Sequence, residues 1–81
     1  MTLVTLYGKP GCHLCDEARA EIDAARARMD FELREVDVSL DPALHREYSE
    51  RIPVVEVDGR EAFELHLDAE ELLRALDRVR S

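Results

Sequence analysis

Two cysteines three residues apart, Cys12 and Cys15, are the side chains of this 81-residue chain best suited to covalent chemistry. They lie where a short apolar run typical of a strand ends and an amphipathic pattern typical of a helix begins. A thiolate at a helix N-terminus is stabilised by unpaired backbone N–H groups and by the helix dipole. This placement indicates disulfide exchange, with Cys12 as the nucleophile and a buried Cys15 as the resolving thiol.

Neighbouring residues influence how well the thiolate of Cys12 is stabilised. Lys9, and His13 when protonated, favour the anion, whereas two acidic residues in the first helical turn oppose it. We therefore predict a modest lowering of the Cys12 pKa. A solvent-exposed His13 without a chemical role fits the sequence equally well. Gly11 leaves room for a substrate backbone to approach Cys12.

Two other interpretations of the cysteine pair stay open. Free cysteines are often simply small buried apolar side chains. Zinc usually takes four ligands, and the chain has no second cysteine pair, while its histidines, at positions 13, 45 and 66, fall on different predicted elements. We expect no metal site within one chain, although a metal or cluster shared across a dimer is compatible with the sequence.

Composition and charge narrow the class of protein. The formal net charge of -8 disfavours binding to nucleic acid and to anionic membrane surfaces. Residues 1–7 are too short to span a membrane and lack the basic region of a signal peptide. We expect a single domain over residues 1–81 that is cytoplasmic and monomeric. In that reducing compartment, two cysteines are typical of catalysis or metal binding rather than of a structural disulfide.

Hydrophobic periodicity predicts the elements around the cysteines. Residues 3–7 form a short apolar run whose length fits a buried strand. Apolar residues then recur at helical spacing over residues 14–29, with charged residues between them. Residues 31–38 predict a second strand, whose apolar residues change phase, so that its regular part is expected to begin near Arg34.

Turn and capping residues predict the second half of the chain. Asp41, followed by a proline, starts a short helix that ends near Glu50. Residues 54–57 and 62–65 form a hairpin around the tight turn at residues 58–59. The turn predicts three cross-strand pairs: Val55 with Ala62, Val54 with Phe63, and Glu56 with Glu61.

A last helix begins at a capping box formed by Asp68 and Glu71, with a buried stripe that runs through three leucines to Val79. The resulting order is β-α-β-α-β-β-α, with a parallel crossover at its start and an antiparallel hairpin near its end. We predict an α/β fold with a mixed four-stranded sheet and helices on both faces.

With these elements in place, the chain resembles the thioredoxin superfamily, and within it the small glutaredoxin-like proteins, over nearly its whole length. The stretch Tyr-Gly-Lys-Pro-Gly-Cys-His-Leu-Cys at residues 7–15 is similar to the glutaredoxin active-site segment. Ile52 and Pro53 stand where the superfamily has its cis-proline loop. The resemblance implies a thioredoxin fold and a thiol-disulfide oxidoreductase, an enzyme that exchanges disulfides through Cys12 and Cys15.

The resemblance also implies roles for other residues. Lys9 and Arg51 are expected to contact a substrate carboxylate, although a solvated charge explains either residue as well. Pro53 lacks an N–H group, and the family's loop implies that it keeps metal away from the thiols. The same loop, which includes Ile52, is expected to leave its neighbouring backbone free to pair with an extended substrate.

One departure from the family concerns glutathione. Glutaredoxins that use glutathione carry a Gly-Gly pair and an acidic residue after the hairpin, whereas this chain reads Phe-Glu-Leu-His-Leu-Asp at residues 63–68. Glutathione is a candidate partner, but the absence of the Gly-Gly pair that would hold it argues against this assignment. We expect a protein disulfide or a small-thiol substrate, a reductase or glutathione as electron donor, and no required cofactor. A non-catalytic module that binds its partner at Pro53, and a thiolate carrier of metal or an iron-sulfur cluster, are the alternatives.

Overall fold

The computed structural model describes residues 1–80, which form four strands, three α-helices and one short 3-10 helix. In chain order these are β1 (Leu3–Gly8), α1 (His13–Arg26), β2 (Glu32–Asp37), the 3-10 helix (Val38–Leu40), α2 (Pro42–Tyr48), β3 (Val54–Val57), β4 (Arg60–Glu64) and α3 (Ala69–Arg80). The predicted β-α-β-α-β-β-α order is confirmed. No helix in this part of the chain is both long and apolar enough to cross a membrane.

The four strands form one mixed sheet in the order β2-β1-β3-β4. β1 pairs in parallel with β2 and antiparallel with β3, which in turn pairs antiparallel with β4. Because β1 is an inner strand, the loop that follows it begins between the ends of the two neighbouring strands. The cysteines are carried on this loop and on the helix that follows.

Both faces of the sheet are covered by helices, as predicted. Val4 and Leu6 of β1 belong to the main core together with buried residues of α1 and α3. Tyr7, on the opposite face by strand alternation, contacts Tyr48 of α2. The main core consists of Val4, Leu6, Ala18, Ile22, Ala25, Phe31, Val55, Val57, Leu72, Leu73 and Leu76.

β2 starts earlier than the sequence suggests. Its pairing with β1 begins at Glu32, so the expectation that regular pairing begins near Arg34 is wrong. The change of phase has a structural cause, since both faces of this strand are partly covered. Leu33 packs against the main core, whereas Val36 is paired with Tyr7 on the face that α2 covers.

The hairpin contains a bulge that the turn did not predict. Asp58 and Gly59 have φ angles of 50° and 85°, the left-handed values of a type I′ turn. The observed pairs are Val57 with Arg60, Glu56 with Glu61, Val55 with Phe63 and Val54 with Glu64. The glutamate pair is confirmed, but both predicted valine pairs are wrong because Ala62 is an extra residue in β4, which shifts the register beyond it.

The start of α2 follows the predicted capping. Asp41 accepts the N–H groups of Ala43 at 2.8 Å and Leu44 at 3.3 Å, and α2 ends at Tyr48, slightly before the predicted Glu50. These capping bonds satisfy backbone donors that a helix cannot pair internally.

The capping box predicted at the start of α3 is wrong in its partners, since Asp68 bonds the N–H of Glu70 rather than that of Glu71, and within residues 1–80 the Glu71 side chain makes no bond back to Asp68. Two carboxylates nevertheless accept N–H groups at this end of the helix. Asp68 accepts the N–H of Glu70 at 2.7 Å, and Glu21 of α1 accepts the N–H of Ala69 at 3.0 Å. The leucine stripe of α3 is buried as predicted. Val79, expected in that stripe, is instead 49% exposed.

Candidate redox site

Cys12 and Cys15 are joined in a disulfide at the start of α1, with their Cα atoms 5.2 Å apart, within the usual range for such a bond. Cys12 is the N-cap residue of the helix, and its sulfur accepts the N–H of Cys15 at 3.2 Å. Cys12 is partly exposed, whereas Cys15 is fully buried. The two sulfurs therefore differ in access, with Cys12 facing solvent and Cys15 behind it.

Two glycines allow the loop to bring the cysteines to this position. A Cβ atom at Gly8 would lie 3.0 Å from the sulfur of Cys15, a tighter contact than most Cβ atoms make. Gly11 has a φ angle of 79°, which a residue with a side chain adopts only with strain. Gly8 thus makes room for Cys15, and Gly11 allows the chain to turn into α1.

A small apolar cluster surrounds the buried cysteine. Cys15, Val38 and Ile52 form its buried part, and α2 contributes Leu44 and Tyr48 at its margin. With Tyr7 of β1, which also packs against it, the cluster joins five separate parts of the chain and so fixes the start of α1 against α2 and the segment before β3. Cys12 also packs against it.

Two tyrosines stack beside this cluster. The rings of Tyr7 and Tyr48 lie 4.6 Å apart at an interplanar angle of 16°. The Tyr7 hydroxyl donates a hydrogen bond to Glu56 at 3.2 Å. Burial, and then the nearby Glu56 carboxylate, raise the pKa of Tyr7 above its ordinary value, and the pKa of Tyr48 is raised for the same reasons. Both tyrosines therefore stay neutral across the physiological pH range, and Tyr7 keeps the proton that it donates to Glu56.

The Ile52–Pro53 peptide bond is cis, as the resemblance implied. Both residues are buried, and the carbonyl of Pro53 accepts the N–H of Leu65 at 2.7 Å. This hydrogen bond ties the residue after β4 to the proline loop. Leu65 was predicted to be in the strand, but it lies outside β4 with a φ angle of 70°.

The predicted basic residues near Cys12 have different surroundings. Lys9 is half-buried and lines a surface pocket of about 250 Å³, and it forms no ion pair with any carboxylate of residues 1–80. The side chain of His13 is 90% exposed, with its Nε2 atom 3.6 Å from Glu17. Lys9 is therefore free to meet an anion, whereas His13 already faces a carboxylate.

Arg51 is surrounded by carboxylates of its own chain. It forms ion pairs with Glu47 at 3.5 Å and Glu64 at 3.3 Å, and a close ion pair with Glu61. Its guanidinium also lies 5.4 Å from the centre of the Tyr48 ring. A substrate carboxylate would have to compete with these contacts to reach Arg51.

Some features beside the cysteines were not expected from the sequence. The sequence pattern did not predict that Tyr48 stacks on Tyr7. The backbone of Leu65 carried no signal at all, since leucine is not a residue typical of positive φ. Glycine or asparagine at that position would have suggested it.

A disulfide at the N-terminus of the first helix, a mixed four-stranded sheet and a cis-proline loop together define a thioredoxin-fold protein with a C-x-x-C pair. The chain matches the family model described as Glutaredoxin-like domain (DUF836) over residues 3–77, and it belongs to this family. Both the fold class and the resemblance predicted from the sequence are confirmed.

Solved structures of similar proteins support the same conclusion. The X-ray structure of Northeast Structural Genomics target protein XcR50 from X. campestris is 37% identical and covers 93% of this chain and 96% of its own, with a TM-score of 0.78. Protein Ne2328 from Nitrosomonas europaea is 28% identical over 91% of this chain and 89% of its own, with a TM-score of 0.77. Chloroplastic thioredoxin z, at 17% identity and a TM-score of 0.78 over 99% of this chain and 79% of its own, shares the fold.

Two mycobacterial proteins are similar in sequence. Uncharacterized protein Rv0508 of Mycobacterium tuberculosis and uncharacterized protein Mb0520 of Mycobacterium bovis are each 31% identical over 63 residues. The match covers 72% of this chain and 65% of each relative, so it spans somewhat less than two thirds of their length.

Proposed function

We propose that this protein is a dithiol-disulfide oxidoreductase in which Cys12 is the nucleophile and Cys15 the resolving thiol. The observation that carries the proposal is the unequal access of two sulfurs within bonding distance. Cys12 is partly exposed at the N-cap of α1, whereas Cys15 is fully buried behind it. A substrate disulfide can reach only the first of them.

The helix start supports Cys12 as the attacking group. In the disulfide its sulfur accepts the N–H of Cys15 at 3.2 Å. The same N–H, together with the dipole of the 14-residue helix, would stabilise a thiolate at this position in the reduced protein. Lys9 provides a positive charge in the preceding loop.

The proposed reaction has two exchange steps. The Cys12 thiolate attacks one sulfur of a substrate disulfide, forms a mixed disulfide and releases the other sulfur as a thiolate, which takes up a proton from water. Cys15 then loses its proton to solvent and attacks the sulfur of Cys12, which releases the second substrate thiol. Two electrons pass to the substrate, and the protein is left with the Cys12–Cys15 disulfide.

Recycling requires an external donor of two electrons. We propose that a thiol or dithiol reductant, either a reductase or glutathione, attacks the exposed Cys12 sulfur and restores both thiols. The proposed substrate is a disulfide in a protein or a small thiol compound. The proposed setting is the cytoplasm, where such thiol reductants are abundant.

Trapping of the mixed disulfide tests the proposal. The Cys15→Ser variant keeps the nucleophile but cannot complete the second step, so it should accumulate partners bound through Cys12. These are detected by non-reducing electrophoresis and mass spectrometry. The matched Cys12→Ser variant retains only the buried Cys15 and should trap far less.

Two results would count against the proposal. If both variants trap equally, the assignment of nucleophile and resolving thiol is wrong. If the reduced wild-type protein fails to form the Cys12–Cys15 disulfide with any mild disulfide oxidant, the redox function itself is wrong.

A further inference from the structure

Arg51 links three parts of the chain beside the disulfide. It follows α2 and directly precedes the cis Ile52–Pro53 bond. Its side chain forms ion pairs with Glu47 of α2 and with Glu61 and Glu64 of β4. A single residue therefore connects the proline loop to the helix before it and to a strand at the edge of the sheet.

The three carboxylates hold the guanidinium of Arg51 from several directions. Its Nε and Nη2 atoms each lie 3.3 Å from Glu64, its Nη1 atom lies 3.5 Å from Glu47, and Nη2 also contacts Glu61. One exposed ion pair contributes little, but several carboxylates around one planar guanidinium form a network that fixes its orientation. The Arg51 side chain is accordingly less exposed than the side chain of any of its three partners.

Tyr48, the last residue of α2, holds both the backbone and the side chain of Arg51. The carbonyl of Tyr48 accepts the N–H of Arg51 at 2.8 Å and the N–H of Ile52 at 3.0 Å. The guanidinium lies 5.4 Å from the centre of the Tyr48 ring, and the same ring stacks on Tyr7. Arg51 is thus bound to the end of α2 at the point where the proline loop begins.

The proline loop that Arg51 anchors lies against the cysteines. Ile52 belongs to the small apolar cluster with Cys15, and Cys12 packs against the same cluster. The carbonyl of Pro53 accepts the N–H of Leu65, just beyond β4, at 2.7 Å. A displaced loop would therefore change the surroundings of both sulfurs, and a displacement of about 1 Å near reacting groups can slow a reaction about a hundredfold.

We infer that Arg51 is a positioning residue for disulfide exchange, which fixes the Ile52–Pro53 loop against the cysteine pair and does not hold a substrate carboxylate. This inference rests on the proposed redox function and gives Arg51 a role different from the one that the family resemblance implied. A substrate carboxylate would have to displace Glu47, Glu61 or Glu64 from the guanidinium, and it would approach through a cluster of charges of its own sign.

The test compares the oxidation of the reduced protein by two disulfides, measured as the loss of free thiols over time. Glutathione disulfide carries carboxylates, whereas hydroxyethyl disulfide is uncharged. Arg51→Met removes the guanidinium but keeps an unbranched side chain that can pack on the Tyr48 ring. We expect it to lower the rate constants for both disulfides about tenfold, because the loop loses its anchor.

Arg46→Met is the matched control. Arg46 is an exposed arginine of α2 that has no ion pair with the carboxylates of residues 1–80, and its loss changes the net charge by the same amount. This variant should leave the rate with hydroxyethyl disulfide unchanged. It should slow glutathione disulfide by less than about twofold, through the net charge alone.

A second variant tests the network from its other side. Glu61→Gln combined with Glu64→Gln removes the anchors on β4 and leaves Arg51 in place. If Arg51 acts through the loop, oxidation by hydroxyethyl disulfide should slow about threefold or more. If Arg51 binds substrate instead, its release from these carboxylates should leave that rate unchanged and accelerate glutathione disulfide. This variant decides the question by itself if Arg51→Met does not fold.

Amide hydrogen exchange shows whether the loop itself has moved. In oxidised Arg51→Met, the N–H groups of Ile52 and Leu65, which bond the carbonyls of Tyr48 and Pro53, should exchange about tenfold faster. The amides of β1 should exchange at the wild-type rate. Equal acceleration in β1 would mean that Arg51 stabilises the whole fold, which would overturn the inference.

The outcomes distinguish the inference from the function on which it rests. A loss of rate with glutathione disulfide alone would make Arg51 a substrate-binding residue, and unchanged rates with both disulfides in Arg51→Met would give it no part in exchange. Either result overturns the inference and leaves the redox function standing. If neither disulfide oxidises the wild-type protein, both the inference and the redox function are wrong.

Discussion

At the scale of single residues, Gly8 determines how closely Cys15 packs against β1. An added Cβ would lie 3.0 Å from the Cys15 sulfur and 3.2 Å from its Cβ, so one of the two residues would have to shift. We expect Gly8→Ala to lower the free energy of unfolding of the reduced protein by about 1–3 kcal/mol, as overpacked cores do. Chemical denaturation measures this change.

A double-mutant cycle provides the control for Gly8. The cost of Gly8→Ala should be smaller in a Cys15→Ala background, because the sulfur that the new methyl group meets is gone. If Gly8→Ala lowers the free energy of unfolding equally in both backgrounds, the added methyl group does not clash with the Cys15 sulfur.

Tyr7 gives the second residue-scale prediction, which concerns alkaline pH. Its pKa is raised above the ordinary 10.0 by burial and by Glu56, so its contribution to stability is complete below pH 10 and is lost as the pH rises through the higher folded-state pKa. The free energy of unfolding of the oxidised protein should therefore fall above pH 10. Tyr7→Phe should make this decline shallower.

The conditions make this measurement selective. In the oxidised protein the disulfide-bonded cysteines do not titrate, and Lys9 is the sole lysine of the sequence. Tyr7→Phe should also cost about 1–2 kcal/mol at neutral pH, since Glu56 loses its hydrogen-bond donor. An equally steep alkaline decline in Tyr7→Phe would assign the effect to Tyr48 or to general charge repulsion.

At the scale of secondary-structure elements, α1 and α3 are linked by a cap that crosses between them. Glu21 of α1 accepts the N–H of Ala69 at the first turn of α3 at a distance of 3.0 Å. We expect Glu21→Ala to lower the free energy of unfolding by about 0.5–2 kcal/mol, the usual cost of losing an N-terminal cap. Asp23→Ala, at an exposed position of the same helix, should change it by less than about 0.5 kcal/mol.

The same scale shows what the sequence could and could not predict. The helix of the cysteines, the Asp41 cap and the tight turn were predictable because each depends on nearby residues. The bulge at Ala62 and the backbone of Leu65 were not, since the first arises from cross-strand pairing and the second is held by the distant Pro53 carbonyl. The Glu21 cap escaped prediction for the same reason, as its two ends are 48 residues apart.

In the candidate site, too, some features follow from nearby residues and others depend on distant ones. The unequal burial of Cys12 and Cys15 follows from helical periodicity, which placed Cys15 on the buried stripe. The surroundings of Arg51 do not, because its carboxylate partners include two residues of β4 whose register depends on the bulge. The local sequence pattern was therefore enough to identify the cysteine pair, whereas the ion pairs of Arg51 depend on tertiary contacts that the pattern does not show.

At the scale of the whole molecule, the net charge of -8 should influence which disulfides reach Cys12 quickly. An overall negative field attracts cationic reactants and repels anionic ones, and salt screens both effects. When salt is reduced from about 0.2 M to about 0.02 M, oxidation of the reduced protein by the cation cystamine should accelerate about threefold to tenfold, and oxidation by glutathione disulfide should slow.

Hydroxyethyl disulfide, which is neutral, serves as the control and should react at a rate that salt hardly changes. The expectation for glutathione disulfide would be contradicted if it oxidised the protein faster at low salt than at high salt. Such a result would mean that the positive charge of Lys9, which has no ion pair with the carboxylates of residues 1–80, outweighs the field of the whole protein near Cys12. In that case Lys9→Gln should reverse the salt dependence of the reaction with glutathione disulfide. If the net charge dominates instead, the same substitution should only strengthen the repulsion of glutathione disulfide.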